Sequence, residues 1–146
     1  MTTTTTNVAG ASTGNTVTFT YTAPTGGVQG GSVVIEVPLG WTPPATGDAL
    51  GCTAATVGTV TASGQAIVVS ALTLPPNGQT VITYGATSGG SCAAGDGATA
   101  SSTPGAPIWQ LKVTLRDGGP FTNLRSSPSI DVGPGDGLSR GLRAVA

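Results

Sequence analysis

Two runs of alternating residues near the start of the chain constrain its fold more than any other feature. The run 16–22, TVTFTYT, alternates threonine with valine, phenylalanine and tyrosine, and the run 32–37, SVVIEV, places three β-branched residues on one face. A period of two is typical of a strand with one buried face. The segment 23–31 between them, APTGGVQGG, contains a proline and four glycines, which favour a turn. The sequence therefore predicts a β-hairpin, with Trp41 just past its second strand.

The rest of the chain predicts further short strands and no convincing helix. Residues 1–9, MTTTTTNVA, form an extended arm or first strand, because threonine suits a strand better than a helix. Turn signals with glycine or proline stand at 63–65, 75–78 and 117–120. Short strands at this spacing are typical of a sandwich or barrel. The predicted strands are 56–62, 66–72, 80–84, 108–115 and 129–132.

The alternating positions also predict which side chains fill the core. Apolar residues at every second position of a strand share one face, so they are expected to meet between two antiparallel sheets. The predicted main core is Val17, Phe19, Tyr21, Val33, Ile35, Val37, Trp109, Leu111 and Val113.

Charge and hydropathy exclude several classes of partner. Only 8% of the 146 residues are charged and the formal net charge is −1, so the sequence lacks the basic surface that nucleic acids require. All five basic residues fall in the last third of the chain, where a solvated strand edge or tail is favoured over a polyanion site. No apolar run is long enough to span a bilayer. We predict no nucleic-acid partner and no membrane insertion.

The two cysteines, Cys52 and Cys92, stand forty positions apart, each among small residues. A zinc site requires closer pairs and more ligands, and the chain contains no histidine. A disulfide that ties two long loops together at one end of the sandwich is the better interpretation. It would imply an oxidising compartment.

The sequence contains no combination of residues that predicts catalysis. The pentapeptide 10–14, GASTG, matches a nucleophile elbow, but that motif needs a histidine base and a following helix. The acidic residues are predicted to lie in loops or at strand ends, and no Asp-Thr-Gly or Asp-Ser-Gly motif occurs. We therefore predict no enzymatic activity, no metal and no cofactor.

Four runs of the chain, GNTVTFTYTAPTGG, GGSVVIEVPLGWTPP, VTASGQAIVVSALTLPPNGQTVITYGA and SSPSIDV, resemble the immunoglobulin-like repeat modules of long bacterial surface and secreted proteins. The resemblance implies an all-β, immunoglobulin-like antiparallel β-sandwich of seven to nine strands without significant helix. It implies one domain over 1–132 and a connector tail over 133–146. The resemblance implies no active-site residues in this chain.

The resemblance also implies a function outside the cell. The leading hypothesis is a structural module of an extracellular or cell-surface assembly, which associates with copies of itself into a fibre when one terminal segment adds a strand to a neighbour. A second hypothesis is a carbohydrate-binding or adhesion module, in which Trp41, Trp109 or Tyr84 would stack on the rings of a glycan. A viral coat or decoration protein is the third.

Overall fold

The computed structural model describes residues 1–3, 5–88, 92, 96–124 and 127–135. Over these residues the chain is built from β-strands, which confirms the predicted all-β class. The eleven described strands exceed the predicted seven to nine, because the terminal segments contribute short separate strands. The strands are β1 (Thr2–Thr3), β2 (Asn7–Gly10), β3 (Val17–Thr22), β4 (Val28–Glu36), β5 (Thr53–Ala55), β6 (Thr59–Ser63), β7 (Ala66–Leu74), β8 (Gln79–Tyr84), β9 (Leu111–Thr114), β10 (Thr122–Asn123) and β11 (Asp131–Gly135).

Two antiparallel sheets form the two layers of a sandwich. The first sheet has the strand order β1-β3-β8-β5, and the second has the order β10-β9-β4-β7-β6. A separate parallel pair, β2 with β11, joins the two terminal segments of the described chain. Short bridges from Ile108 to Ser129 and from Gly105 to Val132 extend the pairing beyond β10.

The core lies between the two sheets. All nine predicted core residues are buried, and Phe19 of the first sheet contacts Trp109 beside the second, with ring centroids 5.4 Å apart. The core prediction is therefore confirmed. Ile67, Ile82 and Ile130 add further fully buried side chains.

The predicted hairpin is wrong, because β3 and β4 lie in different sheets. β3 pairs with β1 and β8, whereas β4 pairs with β7 and β9. The segment between them crosses from one layer to the other, and the apolar faces of the two strands meet across the core. β4 also begins earlier than predicted, at Val28, and an irregular register near Gly31 accommodates the glycines that suggested a longer turn.

Other predicted turns are present. Residues 64 and 65 join β6 to β7 as a two-residue hairpin, with Ser63 opposite Ala66 and Gly64 at φ 58°. Asn77 has φ 61° in the turn before β8, where an asparagine tolerates the left-handed conformation. That turn again crosses between sheets, since β7 and β8 belong to different layers.

The spatial order of the strands corresponds to that of a variable-type immunoglobulin sandwich, but the order along the chain differs. β1, β3, β8 and β5 occupy the positions of strands A, B, E and D, and β10, β9, β4, β7 and β6 occupy those of G, F, C, C′ and C″. In that topology the strand at position D follows the C′ and C″ strands, whereas β5 precedes β6 and β7. The sandwich is present, and an immunoglobulin-like topology stays a prediction.

The terminal segments differ from their predicted limits. The arm 1–9 contains two strands, β1 and β2, and both pair within the same chain. β11 continues to Gly135, so the first three residues of the predicted tail 133–146 belong to a strand. The remaining residues, 136–146, lie outside the described part of the chain.

Candidate functional site: an apolar groove between two sheet edges

The three aromatic residues predicted to stack on sugars lie together in the core. Trp41 is 2% exposed, and Trp109 and Tyr84 are fully buried. The ring of Trp109 meets those of Trp41 and Tyr84 edge to face, at centroid distances of 5.0 and 5.4 Å. Such rings present no face to a ligand, so the expectation of a glycan-stacking surface is corrected. Trp109 and Tyr84 stand in segments of alternating residues, a pattern that is typical of a strand with one buried face.

Hydrogen bonding further fixes this aromatic cluster. The hydroxyl of Tyr84 donates a hydrogen bond to the carbonyl oxygen of Thr42, next to Trp41. Burial raises the pKa of the Tyr84 phenol above its ordinary value. Neither indole Nε1–H has a hydrogen-bond partner among the described residues.

The predicted disulfide is confirmed. Cys52 and Cys92 are bonded, with their Cα atoms 5.7 Å apart, and both are fully buried beside Ala86. The two long loops also meet through a main-chain hydrogen bond, which the N–H of Gly51 donates to the carbonyl oxygen of Gly97. The disulfide indicates an oxidising, non-cytoplasmic location.

Titratable groups are scattered over the described part of the chain. Lys112 Nζ lies 3.8 Å from Glu36 Oε1 in a pair that is nearly half exposed. In the described residues no group of three metal-ligating side chains comes together. Asp136, one of the acidic residues of the sequence, lies outside these residues.

A groove of about 910 Å³ lies between the two sheets. One wall is formed by Met1 and the end of β3, and the other by the end of β9 and by β10. The turns that follow β3 and β9, including Gly26 and Pro120, lie at one end of the groove. We call this surface the edge groove.

The edge groove is mainly apolar. Apolar lining residues come from both walls and include Met1, Tyr21, Pro24, Val113, Leu115 and Leu124. Arg116 carries the one charged side chain among the described residues that line it. Leu115 is 45% exposed, although the alternation of 108–115 puts it on the same strand face as Trp109. β9 ends at Thr114, so the next side chain lies on the groove instead.

The groove lies between the two shortest outer strands of the sheets. β1 and β10 are the outer strands of their sheets, and each contains two residues. The register of β10 against β9 pairs Thr122 with Val113 and Leu124 with Leu111, so the N–H and C=O of Asn123 point away from β9. Unpaired main-chain groups at a sheet edge are available to an added strand.

The pairing of the terminal strands places the two ends of the described chain at opposite ends of the sandwich. β1 runs antiparallel to β3, with Thr2 opposite Thr20, so Met1 lies where β3 ends and where the groove opens. β11 runs parallel to β2 and brings Gly135 beside Gly10, near the start of β3. We call these the Met1 end and the Gly135 end.

Exposed apolar side chains occur at both ends. Leu115 and Phe121, 45% and 52% exposed, lie at the Met1 end beside the groove. Leu39 and Leu50, 86% and 49% exposed, lie in loops at the Gly135 end.

Sequence reasoning missed the groove, because the groove depends on which strands become sheet edges. Its one sequence signal was the glycine- and proline-rich segment 23–31, which was interpreted only as a turn.

Comparisons with known proteins identify no relative: no family model, curated protein or solved structure matches the chain. Across the residues that the structure describes, no helix has the length and apolar character needed to cross a membrane.

Proposed function

We propose that this chain is a non-catalytic structural module of an extracellular or cell-surface assembly, and that it associates head to tail with copies of itself. One observation carries the proposal: Met1 and Gly135 lie at opposite ends of the sandwich. A contact between unlike ends of identical subunits repeats from copy to copy, and it produces a linear array where the rotation between neighbours does not close a ring.

The surfaces at the two ends support this arrangement. The Met1 end carries Leu115, Phe121 and the edge groove, and the Gly135 end carries Leu39 and Leu50. Apolar side chains exposed at both ends lose contact with water when the ends meet, which favours association. The low charge of the chain, 8% of residues with a net of −1, adds little repulsion between copies.

The covalent structure suits a unit that must persist outside the cytoplasm. The buried disulfide between Cys52 and Cys92 closes a loop of forty residues, and such a closure stabilises a fold by about 2 to 4 kcal/mol. The immunoglobulin-like resemblance noted in the sequence points to the same role as a spacer or fibre unit.

The proposal is tested by measuring the mass of the full chain in solution by static light scattering over a wide concentration range. Electron microscopy of the most concentrated sample provides the second readout. We expect the mean mass to rise with concentration and the images to show linear rows. A mass equal to one chain at every concentration, or closed compact particles, would contradict a linear head-to-tail array.

A further inference from the structure

We infer that loop 46–50 of one copy enters the edge groove of the next copy, where Leu50 contacts the apolar walls and the carboxylate of Asp48 pairs with the guanidinium of Arg116. This inference rests on the proposed head-to-tail assembly and deepens it, because it names the two surfaces that meet.

Loop 46–50, TGDAL, lies at the Gly135 end of the sandwich. Its five residues are all exposed, and the side chain of Leu50 is 49% exposed. β5 follows the loop, and its first residue, Thr53, lies opposite Tyr84 at the end of β8. Tyr84 in turn lies opposite the start of β3. The loop therefore stands at the end of the sandwich that is remote from the groove opening.

The base of the loop is fixed on both sides. The N–H of Ala45 donates a hydrogen bond of 3.0 Å to the carbonyl oxygen of Gly51, and Cys52, the next residue, is held by the disulfide. Gly51 has φ 78°, and a Cβ built on it would collide with the carbonyl oxygen of Pro43, so this closure requires glycine. A loop held in this way loses less conformational freedom on binding than a free segment does.

The loop cannot reach the groove of its own domain. β4 runs from the groove, where Gln29 lines it, towards the Gly135 end, and its nine residues span about 27 Å. In a head-to-tail row, however, the Gly135 end of one copy faces the Met1 end of the next. The loop then meets the opening of its neighbour's groove.

Arg116 is the charged group that the groove offers to a partner. It is the one charged side chain among the described residues that line the groove, and it is exposed. In the described part of the chain the ion pair joins Lys112 to Glu36, and Arg116 has no such partner, not even the adjacent Asp117. A carboxylate brought by a second copy would satisfy this guanidinium.

Loop 46–50 supplies an apolar and an acidic side chain two positions apart. Burial of Leu50 against the apolar walls removes it from water, and a carboxylate such as that of Asp48 can accept two parallel hydrogen bonds from a guanidinium. Asp48 already has a polar interaction within its own chain. Because a carboxylate has about four acceptor sites, it can accept the guanidinium of Arg116 as well.

Other exposed residues at the Gly135 end lack this combination. Leu39 is 86% exposed, but its neighbours in the chain are Pro38 and Gly40, which carry no charge. Asp96 is exposed and acidic, but the described residues that follow it, Gly97 and Ala98, are buried. Loop 46–50 is therefore the segment that matches both the apolar walls and the cation of the groove.

The test uses two full-length charge variants, Asp48→Lys and Arg116→Glu, first separately and then mixed. Static light scattering over a range of concentrations measures assembly. Each variant alone brings like charges together at every contact, so we expect its assembly to weaken by about tenfold or more. In the mixture the loop of one variant meets the groove of the other, and the charges are again opposite. We expect the mixture to regain assembly, which a misfolded variant could not do.

The matched control for the loop is Asp96→Lys, which makes the same change of charge at the same end of the sandwich. We expect it to assemble like the unchanged chain, because Asp96 has no exposed apolar neighbour to enter the groove.

A second pair of variants tests the groove independently of charge. Gly26 lines the groove, its φ lies outside the left-handed region, and a Cβ built on it meets no atom within 4 Å. Gly26→Trp therefore places an indole in the groove, and we expect it to weaken assembly by about tenfold or more. Thr61→Trp, at an exposed position of β6, is the control and should have no effect. Thermal unfolding of each variant confirms that the sandwich is intact.

The outcomes separate the inference from the proposed function. If the unchanged chain is monomeric throughout, head-to-tail assembly itself fails, and the inference fails with it. If the unchanged chain assembles but the mixture assembles no better than either charge variant alone, Asp48 does not meet Arg116 and only the inference fails. The inference alone is also overturned if Asp96→Lys weakens assembly as much as Asp48→Lys, or if folded Gly26→Trp assembles like the unchanged chain.

Discussion

Phe19 and Trp109 join the two layers of the sandwich, with their ring centroids 5.4 Å apart and both side chains fully buried. Phe19 lies on β3 in the first sheet, and Trp109 stands just before β9 in the second. Truncation of either ring to alanine removes a large apolar contact and leaves a cavity. We expect Phe19→Ala and Trp109→Ala each to lower the free energy of unfolding by about 3 to 5 kcal/mol.

Chemical denaturation of each variant measures this loss. Ile108→Ala is the control, because that side chain is 61% exposed although it is adjacent to Trp109. If the two aromatic variants lose as little free energy of unfolding as Ile108→Ala, the wrong strand faces have been assigned to the core.

The disulfide leads to a second prediction. We expect the native protein to resist alkylation and to gain two alkylated thiols only after reduction, because Cys52 and Cys92 are bonded and fully buried. Replacing both by alanine should lower the free energy of unfolding by about 2 to 5 kcal/mol, since the open chain gains conformational freedom when unfolded. Mass spectrometry with and without reductant checks the first part, and denaturation checks the second. Two thiols that react in the native protein would contradict the bond.

The buried phenol of Tyr84 predicts how stability depends on pH. Burial raises the pKa of this group, so the folded state keeps its proton at a pH where the unfolded chain, with an ordinary pKa of about 10, has lost it. This contribution to stability is constant below about pH 10 and is lost as pH rises further. The loss approaches about 1.4 kcal/mol per pH unit while only the unfolded state is ionised.

Denaturation between pH 8 and 12 measures this slope, and Tyr84→Phe is the matched variant. Phenylalanine keeps the ring but lacks the hydroxyl that bonds to Thr42, so the alkaline slope should become shallower. Tyr21, whose pKa is also raised by burial, accounts for part of the slope that remains. Equal slopes in both proteins would show that Tyr84 ionises as readily in the folded state as in the unfolded one.

Much of the fold was predictable because it depends on local pattern. The period of two in β3 and β4 identified the buried face of each strand, and all nine predicted core residues are buried. The small-residue loops around Cys52 and Cys92, and the lack of other cysteines, sufficed to predict the disulfide.

Pairing between strands was less predictable, because it depends on contacts that local pattern does not encode. A glycine-rich turn serves a hairpin within one sheet and a crossing between two sheets equally well, so β3 and β4 were wrongly paired. β5 was missed because Thr53–Ala55 has too few residues to show a period. The edge groove was missed for the same reason as the hairpin, since it exists only where β1 and β10 leave their sheets open.

The most direct test of the account is a cross-link between two full-length chains, one carrying Leu39→Cys and the other Phe121→Cys, because these exposed side chains lie at the two opposite ends of the sandwich. The native cysteines are buried in their own disulfide and do not compete. We expect mild oxidation of the mixture to give a covalent dimer that contains one chain of each kind, and Thr61→Cys, an exposed position of β6 between the two ends, in place of Phe121→Cys to give far less. Equal cross-linking at positions 121 and 61, or none at position 121 under conditions where the chains assemble, would contradict a head-to-tail contact between unlike ends.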